Sequence, residues 1–190
     1  YNTVSKKMKL CGTVRSTADQ IFISMTLCRN KLYIVSYEGN AICVYDIEKE
    51  EFYWIPLKQA YTVTEKRHYL MCFTYKDKVY LLGGVGCGIL YIDTNDDTIR
   101  NISEWLCEFK DRFGYEASVR TLTNVCIVEH CFWVALNGNN IILQYNMLTG
   151  EHHFWQIGEK KMQYVTVSFD GEYFWFSGDK KIIIKWKKEI

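Results

Sequence analysis

The sequence predicts an all-β chain built from about four repeated units, each of four antiparallel strands. Three observations lead there. Short apolar runs recur along the chain, each closed by a small polar turn. Aromatic residues make up 16% of the 190 residues, with 14 Tyr, 10 Phe and 6 Trp, and aromatics fit pleated, half-buried surfaces. The same layout of runs and turns appears four times.

The first unit (residues 21–56) opens with IFISMTLC, turns at Arg29-Asn30 and continues as KLYIVSYEGNAICVYDIEKEEFYWI. The second (69–102) opens with YLMCFTY, turns at Lys76-Asp77 and continues as KVYLLGGVGCGILYIDTNDDTIRNI. The third (123–157) opens with TNVCIV, turns at Glu129-His130 and runs from Cys131 to Ile157. The fourth (162–190) opens with MQYVTVSF, turns at Asp170-Gly171 and stops after its third strand. Asp-Gly is the strongest of these hairpin signals. The third strands end at Tyr45, Ile92, Tyr145 and Trp186, giving steps of 47, 53 and 41 residues. The acidic or amide residue that follows three of them suits a turn, where its side chain bonds its own backbone. Four-stranded units of roughly 40 to 50 residues are the mark of a β-propeller blade.

The long middle step has its own cause. In NISEWLCEFKDRFG, residues Trp105, Phe109 and Phe113 fall at helical spacing. A short helix near 103–113 is therefore expected, with Asn101 and Glu104 as a capping box and Gly114 as the stop. Its aromatics are expected to pack over the blade ends. A partner-binding helix is the alternative.

The N-terminus fits the same frame. Tyr1-Asn2 aligns with Tyr45-Asp46, so residues 1–10 read as the end of a third strand and a fourth strand. The fourth unit lacks that strand and would leave an open edge. Residues 1–10 are the candidate to close it. Paired within the chain, they complete a small four-bladed ring. Paired with another copy, they join two chains in a larger ring. Residues 1–190 are thus either one propeller domain or part of a larger one.

Composition narrows the functional classes. Lys and Arg number 23 and Asp and Glu 22, and a formal charge of +1 gives no global field for nucleic acid or an anionic membrane. No apolar stretch approaches the length of a transmembrane helix. Of eight cysteines, Cys28, Cys43, Cys72 and Cys126 sit in apolar runs, where they read as small buried hydrophobes. Reduced thiols and a cytoplasmic setting are the expectation. The absence of any CxxC pair argues against zinc-ribbon and thioredoxin-like readings.

The repeats resemble kelch-type propeller repeats. VYLLGGVGCGILYID carries the paired glycines Gly83-Gly84, ICVYDIEKEEFYW carries Tyr-Asp and a tryptophan, and ILQYNMLTGEHHFW carries Tyr-Asn, Thr-Gly and a tryptophan. The match is loose: the first repeat has Ser36-Tyr37 and the third Ala135-Leu136 in place of the glycines. The resemblance implies a protein-binding scaffold. A minority of kelch-like propellers carry enzyme sites.

The chemical motifs are weak. GGVGCG leads into a strand, not a helix, so its glycines read as a tight turn and not a phosphate cradle. Cys87 within it is a candidate exposed thiol. His152 and His153 are neighbours on a strand and point to opposite faces, so no metal site is expected. DTNDD lacks the glycine and glutamate of a calcium loop. No cofactor is expected, and the non-catalytic reading is preferred over an enzyme. The preferred function is recognition of a protein or peptide partner by loops on one propeller face. Arg15, Tyr37, Glu38, Arg67, His68, Asn137, Asn139 and Asp179 are the candidate binding residues. The alternative is a polar axial pocket for a small molecule, glycan or substrate, and self-association through blade completion is a further option.

Overall fold

The structure is a computed structural model, and it describes residues 10, 12–14, 21–36, 41–57, 69–84, 87–117, 119, 124–136, 139–178 and 181–188. Its four sheets are antiparallel and follow chain order. The first contains β1 (Phe22–Cys28), β2 (Lys31–Ser36), β3 (Ala41–Asp46) and β4 (Glu51–Pro56). The second contains β5 (Tyr69–Tyr75), β6 (Lys78–Gly83), β7 (Ile89–Asp93) and β8 (Thr98–Ile102). The helix α1 (Glu104–Phe113) follows. The third contains β9 (Cys126–Val128), β10 (Cys131–Ala135), β11 (Ile141–Asn146) and β12 (His152–Gln156). The fourth has three described strands, β13 (Tyr164–Phe169), β14 (Phe174–Gly178) and β15 (Ile183–Trp186). Of the expected closing segment, residues 1–10, only Leu10 is among the described residues, and it is exposed and in no strand.

The hairpin turns follow their residues. Arg29, Lys76 and Glu129 take the left-handed conformation that two-residue turns require, with φ of 52°, 52° and 55°. Gly171 does so at 104° in the fourth sheet. Asp46, Asn146 and Asp170 each accept backbone N–H bonds from residues two and three ahead, which closes their turns.

Period-2 alternation gives every sheet two faces, and successive sheets stack face to face. Tyr33, Val35, Ile42 and Val44 of the first sheet pack on Cys72, Val79, Leu81, Leu90 and Ile92 of the second. The other face of the second sheet, with Tyr80, Leu82 and Ile89, packs on Phe132, Val134, Leu143 and Tyr145 of the third. Trp133, Ala135 and Ile142 of the third pack on Tyr164, Val167, Phe174 and Phe176 of the fourth. Burying each such side chain stabilises by about 1.5–3 kcal/mol before chain entropy is counted. This is the layer order of a β-propeller.

The helix sits over the junction of the second and third sheets. Trp105, Leu106 and Phe109 are buried in that core, and Phe109 meets Phe154 edge-on with centroids 5.3 Å apart. Gly114 is left-handed at φ 81° and donates its N–H to the Lys110 carbonyl, as the sequence predicts. The capping box does not form. The N-cap is Ser103, with no side-chain cap bond, and Asn101 belongs to β8, where its side chain hydrogen-bonds Ser103. Strand pairing has claimed the residue that the motif needed.

Candidate functional site

The loops between second and third strands, and those between sheets, are the predicted binding face. Arg15, Tyr37, Glu38, Arg67, His68, Asn137 and Asp179 lie outside the described residues. Asn139 is described, and it is buried at the junction of the third and fourth sheets. Its Oδ1 accepts the N–H of Ile141 at 2.8 Å, and its carbonyl accepts the N–H of Tyr164 at 3.2 Å. Asn139 therefore holds two sheets in register.

The glycine loop on the same side is packed tightly. A Cβ on Gly83 would lie 2.1 Å from Cys87 Cβ, so only glycine lets the chain pass there. Cys87 is buried, contrary to the expected exposed thiol. The Gly84 carbonyl accepts its N–H at 3.0 Å and tucks the residue under the turn. Its side chain faces the interior for that reason.

The opposite end carries the densest described polar network. Asp97 leaves the turn after β7 and reaches across to the first sheet. It accepts from Tyr53 Oη at 2.8 Å, Tyr33 Oη at 3.2 Å and Lys31 Nζ at 3.3 Å. Burial, reinforced by the Asp97 charge, pushes the Tyr33 phenol far above its ordinary range. The Lys31 ammonium is held above its ordinary value by its bond to Tyr53 and by Asp97, against some desolvation. Arg29 donates from Nε to Asp77 at 3.0 Å and from Nη2 to Asn95 at 2.7 Å. Thr26 and Thr74 bond through their hydroxyls at 3.0 Å. A cleft of about 270 Å³ opens beside these groups, lined by Arg29, Lys31, Asp46, Glu48 and Thr94. Every one of these cross-sheet bonds joins residues 44 to 66 positions apart, and sequence spacing does not reveal them.

A larger cleft of about 540 Å³ lies between the third and fourth sheets, beside the turns Glu129-His130 and Asp170-Gly171. Trp133, Phe169 and Phe174 form apolar walls, and Glu129, Glu172, Lys187 and Lys188 line its polar parts. Lys188 lies over the rings of Trp133 and Trp155, 5.8 and 5.4 Å from their centroids. Trp133 Nε1–H is buried without a hydrogen-bond partner among the described residues. Nearby Asn124 bonds both the N–H and the carbonyl of Val167, at 3.0 and 2.8 Å, and staples the two sheets together.

The histidines are separately engaged. His130 Nδ1 pairs with Tyr75 Oη at 2.6 Å, and His152 Nε2 with Glu108 at 2.9 Å. Among the described residues no three His, Cys, Asp or Glu side chains gather as a metal set. No described helix is long and apolar enough to cross a membrane.

Comparison with known proteins gives the fold. No family model and no curated protein matches this sequence. Solved structures do match. The chain is similar to the computationally designed Ika4 protein, at 8% identity and a TM-score of 0.64, over 95% of this chain and 99% of that one. It is similar to YCF48, solved bound to D1 peptide, at 10% identity and a TM-score of 0.65, over 92% of this chain and 51% of that one. The extracellular domain of BT4673 from B. thetaiotaomicron matches at 11% identity and a TM-score of 0.59, over 94% of this chain and 24% of that one. The chain thus spans about half of YCF48 and about a quarter of the BT4673 domain. These likenesses define an all-β, propeller-like protein. They support that fold without singling out kelch repeats.

Proposed function

We propose that this chain is a non-catalytic, kelch-like propeller module that recognises a protein or peptide partner through the loops of one face. One observation carries this reading: YCF48, which shares the fold over 92% of this chain, was solved with a peptide bound. The kelch-like part rests on Gly83-Gly84, where the close packing of Gly83 on Cys87 gives the first glycine a structural reason. Arg15, Tyr37, Glu38, Arg67, His68, Asn137 and Asp179 are the residues proposed to touch the partner. Self-association belongs to the same proposal, because β15 is the outer strand of its described sheet and offers an edge for a further strand. A cytoplasmic setting suits the free thiols of the described cysteines.

Selection from a displayed peptide library tests the reading. Peptides should enrich on the immobilised chain, and Tyr37→Ala or Arg67→Ala should weaken the best of them at least tenfold, near 1.4 kcal/mol. Asp77→Ala, at the opposite end, should leave binding unchanged. Failure of any peptide to enrich, or loss of binding only with Asp77→Ala, would overturn it.

A second reading has one observation in its favour. The cleft with the unpartnered Trp133 indole N–H joins aromatic walls to charged groups, as a site for a small polar ligand or glycan does. A glycan array with tryptophan fluorescence as the readout decides between the two. Quenching that is lost in Trp133→Phe would favour the cleft.

A further inference from the structure

The cleft between the third and fourth sheets has hydrogen-bond donors to spare, set against aromatic walls. A buried indole N–H normally finds an acceptor. Trp155 Nε1 donates to Gln144 Oε1 at 2.8 Å, and Trp175 Nε1 donates to Asp170 at 2.7 Å. Trp133 lines the cleft and is 2% exposed, and its N–H has no acceptor among the described residues. Gln144 stands beside Trp133 in the β10–β11 ladder, but its side-chain oxygen already serves Trp155. An occupant that brings an acceptor would meet a need that the lining leaves open.

The charges point the same way. Lys187 and Glu172 cancel, with Nζ 2.9 Å from Oε1. Lys188 is not paired in this manner. Its ammonium lies over the Trp133 and Trp155 rings, and the described residues give it no carboxylate. Glu129 is the remaining charge of the lining, exposed on the turn after β9. Among the described lining residues, one cation over the rings and one exposed anion are therefore left unpaired.

The walls define the rest of the occupant. Strand alternation turns Trp133 of β10 and Phe174 of β14 toward each other, with ring centroids 4.2 Å apart. Phe169 extends that surface, 4.7 Å from Phe174. Flat apolar groups stack on such rings. The volume of about 540 Å³ suits a small molecule.

We propose that this cleft binds a small aromatic carboxylate. The ligand ring lies against Trp133, Phe169 and Phe174, and its carboxylate accepts from Lys188 Nζ. Glu129 sets the charge limit, because a second negative group on the ligand would face it. The ligand is thus a monoanion, and nucleotides and other polyanions are excluded. This inference rests on the cleft reading given second above and is independent of the loop-face reading.

Calorimetric titration with matched probes tests it. 3-Phenylpropionate should bind. 3-Phenylpropionamide, which keeps the shape and loses the charge, should bind about tenfold more weakly, as expected for one charge-assisted bond. Phenylsuccinate, which adds a second carboxylate, should also bind more weakly, and Glu129→Gln should remove that penalty. Lys188→Met should weaken phenylpropionate by about the same tenfold with unchanged circular dichroism, and Lys188→Arg should retain it. Lys161→Met, whose lysine pairs with Glu159 in the loop after β12, should change nothing. N-Acetylphenylalanine presents the same groups as a peptide end. Binding tighter than phenylpropionate assigns the site to chain termini and weaker binding to a free acid, and either order keeps the aromatic carboxylate as the ligand. Equal binding of acid and amide overturns the proposal and leaves the cleft reading standing. Binding unchanged in Lys188→Met overturns it in the same way. Failure of every probe overturns the proposal, and a blank glycan array beside that failure overturns the cleft reading as well.

Discussion

The two faces of the first sheet share one backbone and differ in what lies opposite. Tyr33, Val35, Ile42 and Val44 are buried against the second sheet. Ile23, Met25 and Leu27, one pleat position away, meet solvent. Both sets are apolar. A sheet meant to face water on one side alternates apolar and polar residues, whereas one covered on both sides reads as a near-continuous apolar run. Runs such as LYIV and AICVY are of the second kind. The first sheet thus has the composition of an interior layer, and on its outer side Cys43 and Tyr45 are buried while the inner-strand residues Ile23, Met25 and Leu27 are open.

The sharpest way to break this comparison is to truncate one side chain on the covered side and one on the open side. Leu81→Ala removes a wholly buried side chain at the first junction and should cost about 2–5 kcal/mol. Met25→Ala, at an exposed position, should cost less than about 0.5 kcal/mol. Urea unfolding at low concentration measures both, and similar losses would erase the distinction between the faces.

The polar rim of the same junction gives a smaller effect. Asp97→Ala strands Tyr33, Tyr53 and Lys31, and should cost about 1–2 kcal/mol, given that the carboxylate is partly solvated. Tyr75→Phe, which removes the outlying bond to His130, should stay within about 0.5 kcal/mol. Equal costs would mean that the Asp97 cluster does not tie the two sheets.

Thiol chemistry reads burial directly. Burial pushes the Cys72 thiol up to about 11, against a small opposing contribution from its bond to Ser24. Cys107 is exposed on the helix. Iodoacetamide at pH 8 should label Cys107 well before Cys72, as mass spectrometry of peptides will show. Early labelling of Cys72 would mean that the first junction opens readily.

The smallest effect is at the far end of the stack. Asp170 accepts the backbone N–H groups of Tyr173 and Glu172 and the indole N–H of Trp175, which draw its carboxyl down to about 2. A depressed folded value means that the contribution is present above the unfolded value, near 4, and is lost as pH falls toward 2. Asp170→Asn should flatten that acid limb of the stability curve. An unchanged limb would assign it to other carboxylates.

Much of the fold is legible in the sequence because turns and apolar runs are local signals. Arg29-Asn30 and Asp170-Gly171 mark hairpins by themselves, and Trp105, Phe109 and Phe113 mark a helix by spacing alone. Asn101 was misleading because a capping motif cannot show that β8 has already taken its residue. In the sequence Asp97 is one acidic residue among several in DTNDD. Its three partners come from another sheet, so only the stacking reveals its role. Cys87 looked exposed because its loop is glycine-rich, yet the missing Cβ at Gly83 is what lets it fold inward. Asn139, chosen as a binding residue, is consumed by the junction behind it.

Methionine oxidation tests the open first face most directly. Met25 is 63% exposed and Met147 is 6% exposed. Dilute peroxide should oxidise Met25 many times faster than Met147. Met147 reacting as fast as Met25 would contradict the stacking order itself.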